Sequence, residues 1–196
     1  MKHFFYLLVI LLTLGSTQAE PEKETTFQYN VLRVPIEFNK ENYSQSRILA
    51  DSLVSNYPLE PLSYFWCGAV YTNEGETPTT GKLFEKGTAC YKQALEIAPD
   101  FTDVWTILIS TYAESNRHTE AIYTFEQFWD KYNLPNDGNP LWDAVFFVEK
   151  SYIEEGKQKK LYQIYSQIID LGIEDEELQT RFLKLKESME GESIIK

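Results

Sequence analysis

The sequence is poor in the groups that usually carry chemistry. Its 196 residues hold two cysteines and two histidines, and the first histidine, His3, lies inside an apolar amino-terminal segment. Two cysteines and His118 do not make up a zinc ligand set, so no metal site is expected. The same scarcity removes nucleophile–base pairs built on histidine. Neighbouring carboxylates such as Glu154 and Glu155 remain, but consecutive residues on a helix point in different directions and are usually solvated. The chain is therefore expected to be no enzyme, with no catalytic residues and no cofactor.

Positive charge is also scarce: 18 Lys and Arg stand against 30 Asp and Glu, a formal net charge of −12. The acids are spread along the chain, which would repel a phosphate backbone, and no basic stripe with interleaved aromatics is present. Nucleic acid is excluded as a partner, while a basic protein or peptide is allowed.

Long hydrophobic runs are missing as well. The longest, Phe4 to Leu12, follows Lys2 and precedes small residues, with Thr17 and Ala19 spaced like a cleavage site. Residues 1–19 read as a secretory signal peptide. An uncleaved anchor is the alternative, although the run falls short of the roughly 18–20 residues a span needs. The first cysteine, Cys67, lies far past the cut, which argues against a lipid anchor. The mature chain is expected to be soluble, without a membrane span, and periplasmic or secreted.

One stretch, "TNEGETPTTGKLFEKG" from residue 72 to 87, has the look of a phosphate-gripping loop. Such a loop needs four residues between its glycines and Ser or Thr after the lysine, so that amides and hydroxyl converge on phosphate and magnesium. Here five residues separate Gly75 from Gly81, Leu83 follows Lys82, and Pro78 removes an amide. Nucleotide binding is not expected there.

What the chain does have is apolar and aromatic residues, 43% and 15% of the total, with 13 Tyr and 12 Phe. That is enough for one folded domain. Around Trp105, "DFTDVWTILISTYAESNRHTEAIYTFEQF" carries Trp105, Leu108 and Tyr112 on one helical face. Ala121, Ile122 and Phe125 follow on a second face after a break at Ser115-Asn116, so two helices joined by a tight turn are predicted. Upstream, Tyr91, Ala94, Leu95 and Ile97 share a face that ends at Pro99. Pro99 precedes Trp105 by six residues, and Pro58 precedes Tyr64 by the same six; Tyr64, Cys67, Gly68 and Tyr71 then repeat the first-helix spacing.

This pattern resembles the tetratricopeptide repeat (TPR) family, in which Trp, Leu-Gly and Tyr on a first helix are followed by Ala, an aromatic and Ala on a second, over 34 residues. Residues 102–135 match through Trp105, Leu108, Tyr112, Ala121 and Phe125, with Ile109 in place of the glycine and Phe128 in place of the last alanine. Residues 142–175 match more loosely through Tyr152, Gly156, Tyr165 and Ile168. Residues 61–101 match with Gly87 at the small position but are seven residues too long, which makes residues 76–82 an insertion at a hairpin turn. Residues 43–60 read as a partial unit, a second helix whose first-helix partner would contain Pro35.

The resemblance implies an all-α, right-handed superhelix of antiparallel helix hairpins, with about three units over 43–190. A capping helix over about 174–190 closes it, with Leu178, Phe182 and Leu185 as its stripe, acids at its amino end, and Lys184 and Lys186 late. Residues 20–42 are expected to form a loose or extended arm packed on the solenoid, because "FQYNVLRVPIEF" alternates partly like a strand. A strand offered to another chain is the alternative.

In the family, first helices of successive units line a concave groove that binds protein. Carried over by spacing, this implies a protein-binding lining of Phe65, Ala69 and Asn73, then Asp103, Thr106, Ser110 and Glu114, then Phe146, Lys150 and Ile153. Members that clamp a terminal carboxylate use Lys, Arg and Asn; Phe65, Ala69 and Asp143 occupy those places here, so no such clamp is implied. The expected function is an exported adaptor that binds a protein or peptide, with a carrier of an apolar small molecule or a structural subunit of an envelope assembly as alternatives. Cys67 and Cys90, on the two helices of one hairpin, are either a disulfide or two small core residues.

Overall fold

The computed structural model describes residues 21–73, 81–132, 141–172 and 175–194, and within these says nothing of the side chains of 21–25, 141–143 and 192–194. The leader-like segment and residues 74–80, with most of the insertion, lie outside the described residues. Among the described residues nine helices follow one another: α1 (Pro21–Asn39), α2 (Tyr43–Asn56), α3 (Pro61–Thr72), α4 (Lys82–Ile97), α5 (Thr102–Glu114), α6 (His118–Tyr132), α7 (Leu141–Glu154), α8 (Gln158–Asp170) and α9 (Glu176–Ile194). Successive helices pack as antiparallel hairpins, and each hairpin stacks on the next.

The expected extended arm over 20–42 is a helix in its described part. The structure places Pro21–Asn39 in a helix with Pro35 inside it, so the partial unit at 43–60 has a complete first-helix partner. A proline inside a helix removes one backbone bond and crowds the preceding turn. Here Val31 and Val34 are buried, and the buried Ser46 of α2 donates to the Val34 carbonyl at 3.0 Å, so packing on α2 offsets that loss. The strand-like alternation has a simple origin: α1 is apolar on two opposite sides. Phe27, Val31, Val34 and Phe38 face the core, whereas Tyr29, Leu32 and Ile36 face outward.

Three of the four hairpin turns are built alike. Glu41, Asn116 and Gly156 take positive φ of 60°, 55° and 66°. In each turn the amide of that residue donates to the carbonyl three residues back, and the next amide donates to the carbonyl five back: Asn42 to Glu37 at 3.0 Å, Arg117 to Tyr112 at 2.9 Å, Lys157 to Tyr152 at 2.7 Å. These are Schellman turns, which satisfy the last carbonyls of the first helix. Their common length fixes a residue-by-residue equivalence between units that the sequence alone shows only loosely.

The second hairpin departs from the others through its insertion and holds its helices by close approach. A β-carbon on Gly87 would lie 2.6 Å from Thr72 Cγ2 and 3.1 Å from the Gly68 carbonyl oxygen. Cys67 and Cys90 face one another across the same contact, joined as a disulfide with their α-carbons 5.8 Å apart.

Junctions between units use one tyrosine at an equivalent place. Tyr71 Oη donates to Asp51 of α2 at 2.8 Å and accepts from Lys86 of α4 at 2.7 Å. Tyr152 Oη donates to Glu126 of α6 at 3.1 Å, and Lys160 of α8 donates to the same carboxylate at 2.6 Å. Burial first, then the Glu126 carboxylate, push the Tyr152 phenol well above its ordinary range, so it remains a neutral donor. In the middle junction the charges are exchanged. Lys92 stands where Asp51 and Glu126 stand, with Nζ 5.7 Å from the Tyr112 ring, and Glu120 stands where Lys86 and Lys160 stand, paired to Arg117.

The carboxyl end is closed by α9. Asp175 accepts from the Leu178 amide at 2.7 Å as its cap, Leu178 and Leu185 are buried, and Phe182 stacks on Tyr162 at 4.8 Å. This helix runs past residue 190, so Lys184 and Lys186 sit mid-helix and its last turn carries no basic residue.

Candidate functional site

The first helices α3, α5 and α7 carry the residues of the expected groove, with Asn73 at the end of α3, but the structure does not use them alike. Phe65 and Ala69 belong to the core, at 2% and 4% exposure. The Phe65 ring packs on Trp66, Phe101 and Tyr91 with centroids 5.1, 5.8 and 6.4 Å away. Spacing assigned them to the groove because position on a helix reports direction, not how far the next hairpin overhangs it.

Three polar candidates are turned back on their own helices. Asn73 is exposed, yet its Nδ2 donates to the Ala69 carbonyl at 3.0 Å. Thr106 Oγ1 donates to the Thr102 carbonyl at 3.2 Å and Ser110 Oγ to the Ile107 carbonyl at 3.0 Å. The two hydroxyl donors are spent, and lone pairs remain for an incoming N–H.

The charged candidates are more informative. Lys150 of α7 reaches the α5–α6 turn and donates to Asn116 Oδ1 at 3.4 Å. Glu114 is exposed at the carboxyl end of α5. Asp103, in the first turn of α5, is half-buried, and no described residue offers it a cation or a donor. Burial pushes its carboxyl above the ordinary range, while the amino end of the helix supplies only a fraction of a charge in return. Along α5 the two carboxylates stand about 16 Å apart.

The α7 candidates meet α9. The Arg181 guanidinium lies 4.6 Å from the centroid of Phe146 and pairs with Glu149, as well as with Glu177 at 2.7 Å. A polar cleft of about 570 Å³ opens beside it, lined by Glu149, Glu176, Glu177, Thr180, Arg181 and Lys184. Ile153 is exposed further along α7. Glu149 and Arg181 were not recognisable from the sequence, since neither falls on the groove spacing and their pairing joins helices 32 residues apart.

No cavity fit for an apolar ligand opens beside the described aromatics. Phe38, Trp66, Ala69 and Val70 line a crevice with no room for a water molecule, against the roughly 300–1,000 Å³ of small-molecule sites. His118 Nδ1 lies 3.0 Å from Ser151 Oγ, but Ser151 is fully buried, so the pair ties α6 to α7. Glu154 and Glu155 are exposed, and Glu155 accepts from Thr119 at 3.3 Å. Among the described residues no group of three His, Cys, Asp or Glu could hold a metal ion, and no helix is long and apolar enough to cross a membrane.

No family model and no curated protein matches the chain. Solved structures do. MamA of AMB-1 is 15% identical with a TM-score of 0.57, over 85% of this chain and 84% of that one. PilF of Pseudomonas aeruginosa is 10% identical with a TM-score of 0.61, over 87% and 72%. A thermophilic TPR protein of Thermus thermophilus is 14% identical with a TM-score of 0.54, over 81% and 80%. At such identities the likeness speaks for the fold. The chain has the TPR fold, an all-helical superhelix of antiparallel hairpins, and first helices line the inner face of that fold.

Proposed function

We propose that the chain is an exported adaptor that holds a protein or peptide segment against the inner face of its first helices. The observation that carries this reading is Asp103, a half-buried carboxylate on that face with no described partner. Leaving a charge partly desolvated and unpaired is costly, and a cation from outside would remove the cost. Thr106 and Ser110, one and two turns along α5, have lone pairs for the amides of an extended segment, and Glu114 adds a second negative charge at the far end. A lysine or arginine on the partner therefore sets position and selectivity, and nucleic acid is repelled by the net charge of −12. Export rests on the leader-like residues 1–19 and on the facing cysteines.

An apolar carrier is disfavoured by the narrow crevice beside Trp66. The test is fluorescence anisotropy with matched lysine-rich and glutamate-rich peptides at low and high salt. The wild type should prefer the lysine-rich peptide at low salt, and Asp103→Lys should abolish that preference. Equal binding of both peptides, or no change in Asp103→Lys, would sink the electrostatic reading.

A further inference from the structure

The two ends of the stack are finished differently. At the carboxyl end, the outward side of α9 presents exposed Gln179, Thr180, Lys186 and Glu187 around Leu183. At the amino end, α1 presents Tyr29, Leu32 and Ile36 at 62%, 50% and 48% exposure. Their spacing of three and four puts them on one face of α1, opposite the face packed on α2.

The common turn geometry says what that face is for. Position 29 is equivalent to Ser63, Val104 and Ala144, all at 0% exposure. Position 36 is equivalent to Val70 and Ser151, at 1% and 0%, and to the half-buried Thr111. In the later units these places are covered by the second helix of the unit before: Ser151, for example, bonds His118 of α6. Position 32 is equivalent to Trp66 at 6%, to the half-buried Ile107 and to Phe147 at 41% exposure, so Leu32 lies towards the margin of this surface; the outward face of α1 is the same stacking surface with no described helix upon it. It asks for an apolar helix running antiparallel to α1, as α2 runs to α3.

We infer that this face pairs two copies of the chain, α1 against α1, about a two-fold axis near Leu32. A two-fold perpendicular to a helix makes the two copies antiparallel, which is the sense the stacking surface requires, and it covers both faces at once. The three residues are close to palindromic about position 32, so Tyr29 of one copy meets Ile36 of its partner while Leu32 meets Leu32. Head-to-tail stacking is the poorer match, because it would set these side chains against the polar side of α9. This inference is independent of the groove.

Sedimentation velocity on the chain without residues 1–19, the form expected after export, from about 1 to about 100 μM tests it. The mass should rise to that of a dimer, and Leu32→Glu should hold it at that of a monomer with an unchanged helical spectrum, since Leu32 lies outside the core. Leu32→Cys should cross-link to itself under mild oxidation, and Leu183→Cys should not. A wild type that stays monomeric, or a dimer that survives Leu32→Glu, overturns the inference.

Discussion

Gly68 lies directly beneath the ring of Tyr91, so that a β-carbon on it would fall 2.4, 2.5 and 2.7 Å from three ring carbons. Tyr91 is fully buried and its ring has nowhere to retreat. Alanine at 68 should gain about 1 kcal/mol of helix propensity and lose about 1–3 kcal/mol to overpacking, so the clash wins. Urea unfolding of Gly68→Ala should show net destabilisation. In a Tyr91→Leu background the same alanine should be neutral or stabilising; equal cost in both backgrounds would show that the ring is not the cause.

Glu41 takes the left-handed conformation that Gly156 takes in an equivalent turn. A non-glycine residue there is strained by about 1–2 kcal/mol, and the unfolded-state entropy of glycine returns part of it. Glu41→Gly should therefore raise stability by roughly 0.5–1 kcal/mol. Gly156→Ala should lower it, and both are read from thermal or urea midpoints.

The exchanged charges about Tyr112 predict a cycle. Lys92→Glu alone should set two acids beside one ring, and Glu120→Lys alone should add a third cation to Lys92 and Arg117, which lie 5.7 and 5.8 Å from the Tyr112 ring. Each change should cost a few tenths of a kcal/mol, because the groups are largely exposed. The double exchange restores the charges found about Tyr71 and Tyr152, and it should recover what either single change loses apart from the Arg117–Glu120 pair, which Glu120→Lys removes in either background. Additive losses in the double variant would show that the two positions do not communicate through the tyrosine.

Cys67 and Cys90 stand 23 residues apart in sequence with their α-carbons 5.8 Å apart, within the range a disulfide spans. Closing a loop of that length restricts the unfolded chain by about 3 kcal/mol. Protein recovered from an oxidising compartment should show no free thiol by alkylation and mass spectrometry, and reduction should lower its urea midpoint. Two alkylated cysteines in that protein would contradict this.

The carboxyl of Asp103 is held above its ordinary range by burial, which gives peptide binding a definite pH dependence. The charged form is the one that attracts a cation, and a raised value means that this form is lost at a higher pH than for an exposed aspartate. Affinity for the lysine-rich peptide should therefore decline as the pH falls through that raised value. Asp103→Asn should show weaker binding and a flatter profile; an unaltered profile would place the titrating group elsewhere.

The sequence by itself determined the repeat. The spacing of Trp105, Leu108 and Tyr112, and of Tyr91, Ala94 and Leu95, is local information, because a helix converts spacing into a face without help from the rest of the chain. Gly68 and Gly87 were likewise legible as members of the repeat pattern. Tertiary structure decided what each face meets. Pro35 read as a break, and the two-sided apolar pattern of α1 read as an extended arm, until packing on α2 outweighed local preference. Phe65 and Ala69 sit on the groove spacing but are covered by neighbours, whereas Asp103 on the same spacing is left without a described partner. Burial depends on which helix lies across a residue, and that is set by contacts between units far apart in sequence.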